Sequence, residues 1–234
     1  MTQIFVRLLR LYIHFILINL LISCTFNKGD SRSHPDTIDT LSILNSNSIP
    51  DLNSKPDTII DANYSFEEAI AGSNAPEEII NQLQLIDVYY ISTDGKIHRG
   101  QILTNESIAV EIGEIFEFML DYGFVIEKAI PIVRYNWSDS LSMADNNSYS
   151  FCYRNISYSH HATGMAIDIN PRFNPLRWKH LDRPNIPEGA VLDTTINGTL
   201  YPGHPVVDEF RNKGFRWGHT FSKYYDDHHF EKRK

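Results

Sequence analysis

The chain has 234 residues, of which 42% are hydrophobic and 21% charged, and its formal net charge is −8. This length allows one well-cored domain with additions rather than two full domains. The excess of acids argues against a nucleic-acid partner, because phosphate backbones are bound by clustered lysine and arginine.

The first 23 residues predict an export signal. Arg7 and Arg10 precede the apolar run LYIHFILINLLI (11–22), as is typical of a secretory leader. A membrane span needs about 20 apolar residues, so an uncleaved anchor is the weaker alternative. The run ends in Leu21-Ile22-Ser23-Cys24, which resembles the bacterial lipoprotein lipobox. That resemblance implies a lipid on Cys24, a membrane anchor and a place at the cell envelope, facing the periplasm or the outside.

Residues 24–63 predict a flexible tether. They are rich in Ser, Asn, Asp, Thr and Pro and show no sustained apolar period. Such a composition buries too little apolar surface to offset the entropy of the ordered chain. We therefore expect the folded domain to span 64–234. Its one cysteine, Cys152, is expected to be buried and unpaired, because a disulfide framework needs even counts.

The first half of this domain predicts a helix, a hairpin and a second helix. Ala75-Pro76-Glu77-Glu78 is typical of a first helical turn. The runs 85–92 and 96–104 flank Thr93-Asp94-Gly95, a hairpin signal. Asn105 then precedes a helix, which Gly123 ends. Its apolar side chains recur at helical spacing: Ile108, Ile112, Ile115, Phe116 and Met119.

The remaining elements complete the fold class. Residues 124–135, FVIEKAIPIVRY, predict a strand, and Pro205 to Lys213 predict a helix stopped by Gly214. Strands and helices mix without a regular βαβ alternation. This order predicts an α+β fold with an antiparallel sheet flanked by helices.

The segment GMAIDIN (164–170) raises the first chemical question. As a strand it places Met165, Ile167 and Ile169 on a core face and Asp168 on the opposite face. An aspartate inside an apolar run is costly unless it is paired or coordinates a metal. Gly164 allows a sharp turn, so that a preceding histidine can fold back toward Asp168.

The C-terminal segment DDHHFE (226–231) supplies further histidines and carboxylates. Two histidines and an aspartate suit a catalytic zinc site, in which three protein ligands leave a fourth position open for water. A further carboxylate nearby can take a proton and return it to a leaving amine.

These residues resemble a known family. Ser159-x-His161-x-x-Gly164-x-Ala166-x-Asp168 matches the SxHxxGxAxD signature of the zinc D,D-peptidases of the M15 type, which cleave peptidoglycan stem peptides. The second motif of that family corresponds to Asp226-x-x-His229-Phe230. The resemblance covers roughly residues 80–234. It implies zinc bound by His161, Asp168 and His229, with Asp226 as the general base and acid.

The resemblance also implies substrate contacts. The family often places an arginine upstream of the zinc motif, and Arg154 is the best-placed candidate; a surface ion pair is its alternative. Ser159 and His219 are further candidates for binding substrate. The alternative for Ser159 is a turn residue, and the alternative for His219 is a loop residue. The chain departs from the family's Trp-Gly-Gly-Asp-Trp at 217–221, where it has WGHTF. This departure leaves substrate preference open.

Several alternatives at the site stay open. His160 and His228 are expected to lie outside it, with His228 on the core side together with Phe230. Alternation places Asp226 and His229 on opposite faces of a continuous strand, so Asp226 must sit on a turn or loop, or else Asp227 is the base. Without a metal, His161 and Asp168 could form a buried hydrogen-bonded pair, and Asp168 could also orient a ligand histidine.

The leading hypothesis is thus a monomeric, lipid-anchored zinc peptidase that cleaves peptidoglycan stem peptides, as a D,D-carboxypeptidase or an L-Ala-D-Glu endopeptidase. A non-catalytic peptidoglycan-binding module on the same scaffold is the alternative, which the altered 217–221 segment motivates. A hydrolase of other peptides is a third possibility, because zinc machinery does not define the substrate.

Overall fold

The computed structural model of the protein describes residues 58–156 and 159–232. The predicted leader, Cys24 and most of the tether lie outside the described residues. Residues 58–63 belong to the fold and not to the tether, which corrects the predicted boundary. Ile59 and Ile60 pair with His98 and Arg99 of a long strand. None of the described helices is long and apolar enough to cross a membrane.

The described residues form five α-helices and ten strands. The helices are α1 (Phe66–Ile70), α2 (Glu77–Ile80), α3 (Glu106–Tyr122), α4 (Asp139–Ala144) and α5 (Pro205–Asn212). The first five strands are β1 (Ile59–Ile60), β2 (Leu83–Ile91), β3 (Ile97–Asn105), β4 (Lys128–Ala129) and β5 (Asn147–Ser148). The others are β6 (Ala166–Asp168), β7 (Leu176–Trp178), β8 (Arg216–Trp217), β9 (Tyr224–Asp226) and β10 (His229–Glu231). Short 3-10 helices cover Ile132–Tyr135, His160–Thr163 and Gly218–Thr220.

The fold class is α+β, as predicted, but the strands divide among four small sheets. Two sheets have three strands, in the orders β1-β3-β2 and β6-β10-β8, and two have a pair of strands, β4-β5 and β7-β9. The β1-β3 and β4-β5 pairs are parallel, and the others are antiparallel.

The hairpin and the long helix are confirmed. β2 and β3 pair along their whole length, from Leu83 opposite Asn105 to Ile91 opposite Ile97. Asn105 then caps α3 by accepting a hydrogen bond from the backbone of Ser107, and Gly123 ends the helix at φ 80°. The five apolar residues expected on one face of α3 are all buried. The short helix after Pro76 and the C-terminal helix from Pro205 are also present.

The predicted strand at 124–135 is wrong apart from Lys128 and Ala129. The apolar pattern is real, since Phe124 and Ile126 are fully buried. Ile126 N donates to Ile91 O of β2 in an isolated bridge, but the carbonyl of Val125 and the N–H of Glu127 are bonded by the side-chain amide of Asn170. A side chain that replaces a strand partner cannot be inferred from apolar periodicity.

The main core lies beneath the β6-β10-β8 sheet. Met165, Ile167 and Ile169 belong to it, as alternation predicted, together with Phe230 of β10. The Phe230 ring stacks on Phe210 of α5 with their centroids 3.8 Å apart. One face of this sheet therefore packs against the core, and Asp168 and His229 lie on its other face.

Candidate active site

Asp168 and His229 are neighbours across two strands. β6 and β10 run antiparallel, and their register places His229 opposite Asp168 and Phe230 opposite Ile167. Because side chains alternate along a strand, Ile167 and Phe230 enter the core while Asp168 and His229 share the other face. Residues 61 positions apart in the chain are thus brought together by strand pairing.

His161 reaches the same point from the 3-10 helix that precedes β6. Gly164 ends this helix at φ 68°, and a Cβ there would lie 2.6 Å from the backbone nitrogen of Asn105. Only glycine satisfies both conditions. The ring of His161 is then fixed by a hydrogen bond of 2.7 Å from Nδ1 to the carbonyl oxygen of Ser150. A carbonyl only accepts, so Nδ1 donates this hydrogen bond and Nε2 is the nitrogen turned toward Asp168 and His229.

Three ligand atoms converge in a buried cluster. His161 Nε2 lies 3.1 Å from Asp168 Oδ1 and 3.0 Å from His229 Nδ1. His229 Nδ1 lies 3.0 Å from Asp168 Oδ1. All three residues are at least nine-tenths buried.

The donor set fits a zinc ion. Zinc takes imidazole nitrogens and a carboxylate oxygen at about 2.0–2.2 Å, which places the ligand atoms of a tetrahedral site about 3.3–3.5 Å apart. The spacing of 3.0–3.1 Å in the cluster is within a few tenths of an ångström of this value. His161, Asp168 and His229, the three predicted ligands, are therefore the residues that would hold the metal.

The contacts of the two histidines argue that Asp168 is itself a ligand. A carboxylate that only orients a ligand histidine bonds the ring nitrogen that faces away from the metal. Here those outer nitrogens face Ser150 O and Glu231 Oε2, the latter 3.4 Å from His229 Nε2. Asp168 contacts the two inner nitrogens instead. It thus lies among the donor atoms and not behind them.

The electrostatics of the cluster favour a cation. Burial raises the pKa of Asp168, but the neighbouring His161 and His228 outweigh it and hold this pKa well below its usual range. Burial lowers the pKa of His229, but hydrogen bonds to Asp168 and Glu231 outweigh it and raise this pKa to about 10. The site therefore retains positive charge beside its carboxylate, either as protons or as a metal ion.

Asp226 faces the cluster from a separate strand. It is the last residue of β9, and a turn at 227–228 separates it from β10. The expectation that Asp226 sits on a turn or loop is therefore wrong, because it ends a strand of its own; the turn that follows it breaks the alternation with His229. Asp226 Oδ1 is buried without a hydrogen bond among the described residues. His228 Nε2 lies 3.0 Å from this oxygen and forms an ion pair with it when the ring is protonated, although the contact lacks the geometry of a hydrogen bond. A buried carboxylate oxygen without a donor suits the general base.

Asp227, the alternative base, is committed elsewhere. Its side chain is 1% exposed and forms an ion pair of 2.8 Å with Arg177 Nη2. Its other oxygen lies 2.6 Å from His219 Nδ1. With both oxygens occupied and its side chain outside the cavity described below, Asp227 does not compete with Asp226 for the role of base.

Two of the three predicted substrate contacts line the site. Arg154 and Ser159 both border the cavity above the cluster. Arg154 is held there by Asp139, whose Oδ2 lies 3.0 Å from Nη1. The expectation for His219 is wrong, because its ring stacks on Trp217 with their centroids 4.4 Å apart and bonds to Asp227. The sequence does not determine whether the side chain after Trp217-Gly218 points into the cavity or away from it, because that direction depends on tertiary contacts.

The two histidines expected to lie outside the site in fact border it. His228 is buried, and its Nδ1 donates to the carbonyl oxygen of Asn174 over 2.7 Å. Burial lowers the pKa of His228, but Asp226 and Asp168 outweigh it and raise this pKa to about 9. The expectation that His228 shares the core side with Phe230 fails because it lies in a turn, where strand alternation does not hold. His160 Nε2 lies 3.7 Å from Glu231 Oε2, which makes Glu231 a further site residue.

The cluster opens into a cavity of about 1000 Å³. Its walls combine apolar side chains, such as Leu176 and Ile186, with the cations Arg154, Arg216 and Lys223. This volume lies at the upper end of the usual range for small-molecule sites. A segment of several residues of a peptide therefore fits beside the cluster.

An α+β fold with a buried His-Asp-His cluster and a further carboxylate at one cavity is the arrangement of a candidate metal-dependent hydrolase. An M15 peptidase family model, described as D-alanyl-D-alanine carboxypeptidase, matches residues 154–232, about a third of the chain. The matched segment, which is similar to M15 peptidases, contains all three predicted ligand residues and Asp226. No curated protein matches the chain. No solved structure matches it either.

Cys152, outside the site, is buried and unpaired, as expected. Burial raises the pKa of its thiol to about 11. A thiol in this state is neither a nucleophile nor a metal ligand at neutral pH.

Proposed function

We propose that this protein is a zinc-dependent peptidase that hydrolyses a peptide bond in peptidoglycan stem peptides at the cell envelope. The observation that carries the proposal is the convergence of His161, Asp168 and His229 in one buried cluster, with Oδ1 of Asp226, which accepts no hydrogen bond from the described residues, at the same cavity. The family match supports a peptidoglycan-acting peptidase.

The chain's own residues supply positioning and proton transfer. Zinc, when bound, would lower the pKa of a water molecule and polarise the carbonyl of the scissile bond. Asp226 Oδ1 accepts the proton of the attacking water, because no described donor satisfies this oxygen. The same oxygen then delivers the proton to the leaving nitrogen. Ser150 and Glu231 keep the rings of His161 and His229 oriented during both steps.

The cations around the cavity support a substrate that carries carboxylates. Arg154, Arg216 and Lys223 border the cavity, where Arg154 pairs with Asp139 and Arg216 with Glu231. Lys223 has no ion pair within the described ranges, 58–156 and 159–232. Stem peptides carry several carboxylates, and guanidinium groups bind carboxylates through paired hydrogen bonds. Arg154 is our candidate for this contact, with the Ser159 hydroxyl beside it.

The location follows from the proposed substrate and from the N-terminal segment. Peptidoglycan lies outside the cytoplasm, and the leader-like residues 1–23 with Cys24 would export the chain and attach it to a membrane through a lipid. We propose that the enzyme acts there as a monomer, with residues 24–57 as its tether.

The proposal is tested by mass spectrometry of muropeptides after incubation with the zinc-loaded protein. We expect the wild type to shorten or split stem peptides, and the mass lost identifies the bond. His161→Ala should lose both zinc and activity, and Asp226→Ala should keep zinc and lose activity. Intact muropeptides after incubation with the zinc-loaded wild type would refute the proposal. In that case, sacculus binding that survives EDTA would favour a non-catalytic binding module.

A further inference from the structure

The general base and the metal ligands belong to different sheets. Asp168 and His229 lie in the β6-β10-β8 sheet, whereas Asp226 ends β9, which pairs with β7. In the register of that pair, Asp226 lies opposite Leu176. The two-residue turn at 227–228 is the only chain connection between β9 and β10. The distance from Asp226 to the ligands therefore depends on how the β7-β9 pair is held against the other sheet.

Asp227, the first residue of this turn, is hydrogen-bonded to a residue of β7 and to a residue that follows β8. Its Oδ2 accepts a hydrogen bond of 2.9 Å from Arg177 Nε, and Arg177 lies on β7. Its Oδ1 lies 2.6 Å from Nδ1 of His219, which directly follows β8 and Gly218. The carboxylate thus joins one element of each sheet to the turn that carries the site.

The surroundings make this arrangement rigid. The backbone oxygen of Asp227 accepts a hydrogen bond of 2.8 Å from the indole of Trp217, a residue of β8 that is 1% exposed. His219 stacks on the same indole. On the other side, the guanidinium of Arg177 lies 4.9 Å from the ring centroid of Tyr225 on β9. A buried carboxylate with two cationic or hydrogen-bonding partners keeps its geometry, because losing either partner leaves it uncompensated.

We propose that Arg177, Asp227 and His219 are positioning residues that set the place of Asp226 relative to His161, Asp168 and His229. This inference rests on the proposed function, since it assigns a role in the same reaction. It also gives His219 a role other than substrate binding. The three residues act through the turn and do not touch the substrate.

The test compares Arg177→Lys and His219→Gln with the matched control Arg183→Lys. Lysine keeps the charge but loses the paired donors that Arg177 offers to Asp227. Arg183 lies over the ring of Trp178, also on β7, and has no contact with Asp227. We expect kcat to fall about 10- to 100-fold in the first two variants, because base misplacement on the ångström scale has that effect. KM and zinc affinity should stay within about threefold of the wild type, and Arg183→Lys should leave kcat unchanged.

The double variant of Arg177 and His219 gives a sharper result. Both residues act through Asp227, so the double variant should lose much less kcat than the product of the two single losses. Additive losses, or a loss of zinc affinity and melting temperature in step with kcat, would overturn the inference, since either pattern indicates general destabilisation.

A readout without turnover separates this inference from the proposed function. We expect His219→Gln to broaden the backbone amide signals of Asp226 and Asp227 in NMR relaxation-dispersion spectra, while those of Ile167 and Asp168 remain sharp. Unchanged Asp226 and Asp227 signals would contradict the positioning role. If the zinc-loaded wild type cleaves no muropeptide, the proposed function fails, and these spectra still decide whether the three residues hold the turn.

Discussion

Replacing Gly218 with alanine is expected to displace the general base without touching it chemically. A Cβ at this position would lie 2.7 Å from both the Cβ and the backbone oxygen of Asp226, and 3.2 Å from the Cβ of His229. Carbon atoms pack at about 3.5–4.0 Å, so Asp226 must retreat by about 0.8 Å. The atoms that must move belong to the backbone and to Cβ, so no flexible side-chain end can absorb the shift.

The size of the effect follows from this displacement. A misplacement of about 1 Å costs on the order of 100-fold in rate, so we expect kcat to fall by about 10- to 100-fold. Overpacking a tight site lowers the free energy of unfolding by about 1–3 kcal/mol. Kinetics on a stem peptide and urea unfolding measure these two consequences separately, and chelator competition shows whether zinc binding changes with them.

Gly113→Ala is the matched control. Gly113 lies within α3, and a Cβ there would meet no atom within 4 Å. Neither glycine has a positive φ, so the two substitutions differ in the space around the new methyl group. We expect Gly113→Ala to raise the free energy of unfolding by about 0.5–1 kcal/mol and to leave kcat unchanged. Wild-type kcat and stability in Gly218→Ala would refute the reasoning.

Three further outcomes are expected. Asp226→Asn should lower kcat by about 10²- to 10⁴-fold, because a neutral amide cannot take up the proton. Zinc content, measured by atomic absorption, should stay at the wild-type level. A loss of zinc that matches the loss of activity would instead make Asp226 a ligand. Zinc affinity should rise about tenfold per pH unit between pH 6 and 9, because His229, with its pKa raised to about 10, must give up a proton to bind metal. Calorimetry in buffers of different ionisation enthalpy measures how many protons are released when zinc binds. A zinc affinity that does not change with pH would show that His229 does not lose a proton on binding. Arg154→Gln should raise KM for stem peptides by about 10-fold or more and change kcat less, because the proposed contact with a substrate carboxylate is lost. If the wild type has equal KM values for amidated and free-acid peptides, the substrate carboxylate is not contacted.

Local sequence signals determined the hairpin, the long helix and the strand through Asp168. Asp94-Gly95 sets the hairpin because only a few residues accept positive φ, and Asn105 and Gly123 bound α3 because they satisfy its end groups. The ligand set could also be predicted, since the spacing from His161 to Asp168 and the family motif around His229 identify three residues that the structure then brings together.

Other features were decided by contacts between distant segments. The backbone near Val125 is bonded by the Asn170 side chain, so a sequence pattern typical of a strand became an irregular segment. Ile59 joins the fold because β3 offers it a strand edge, although its neighbours in sequence are typical of a tether. Neither partner is visible in the local sequence.

Residues 226–229 show which part of the site was determined by the sequence and which part by the tertiary structure. The sequence alone determined that two acids and two histidines stand together and that one acid and one histidine match a zinc peptidase motif. Only the tertiary structure decided that Asp226 lines the cavity beside His228 while Asp227 is bound by Arg177 and His219. The physical reason is that a turn breaks the alternation of a strand, so the direction of each side chain depends on partners supplied by β7 and by the segment after β8.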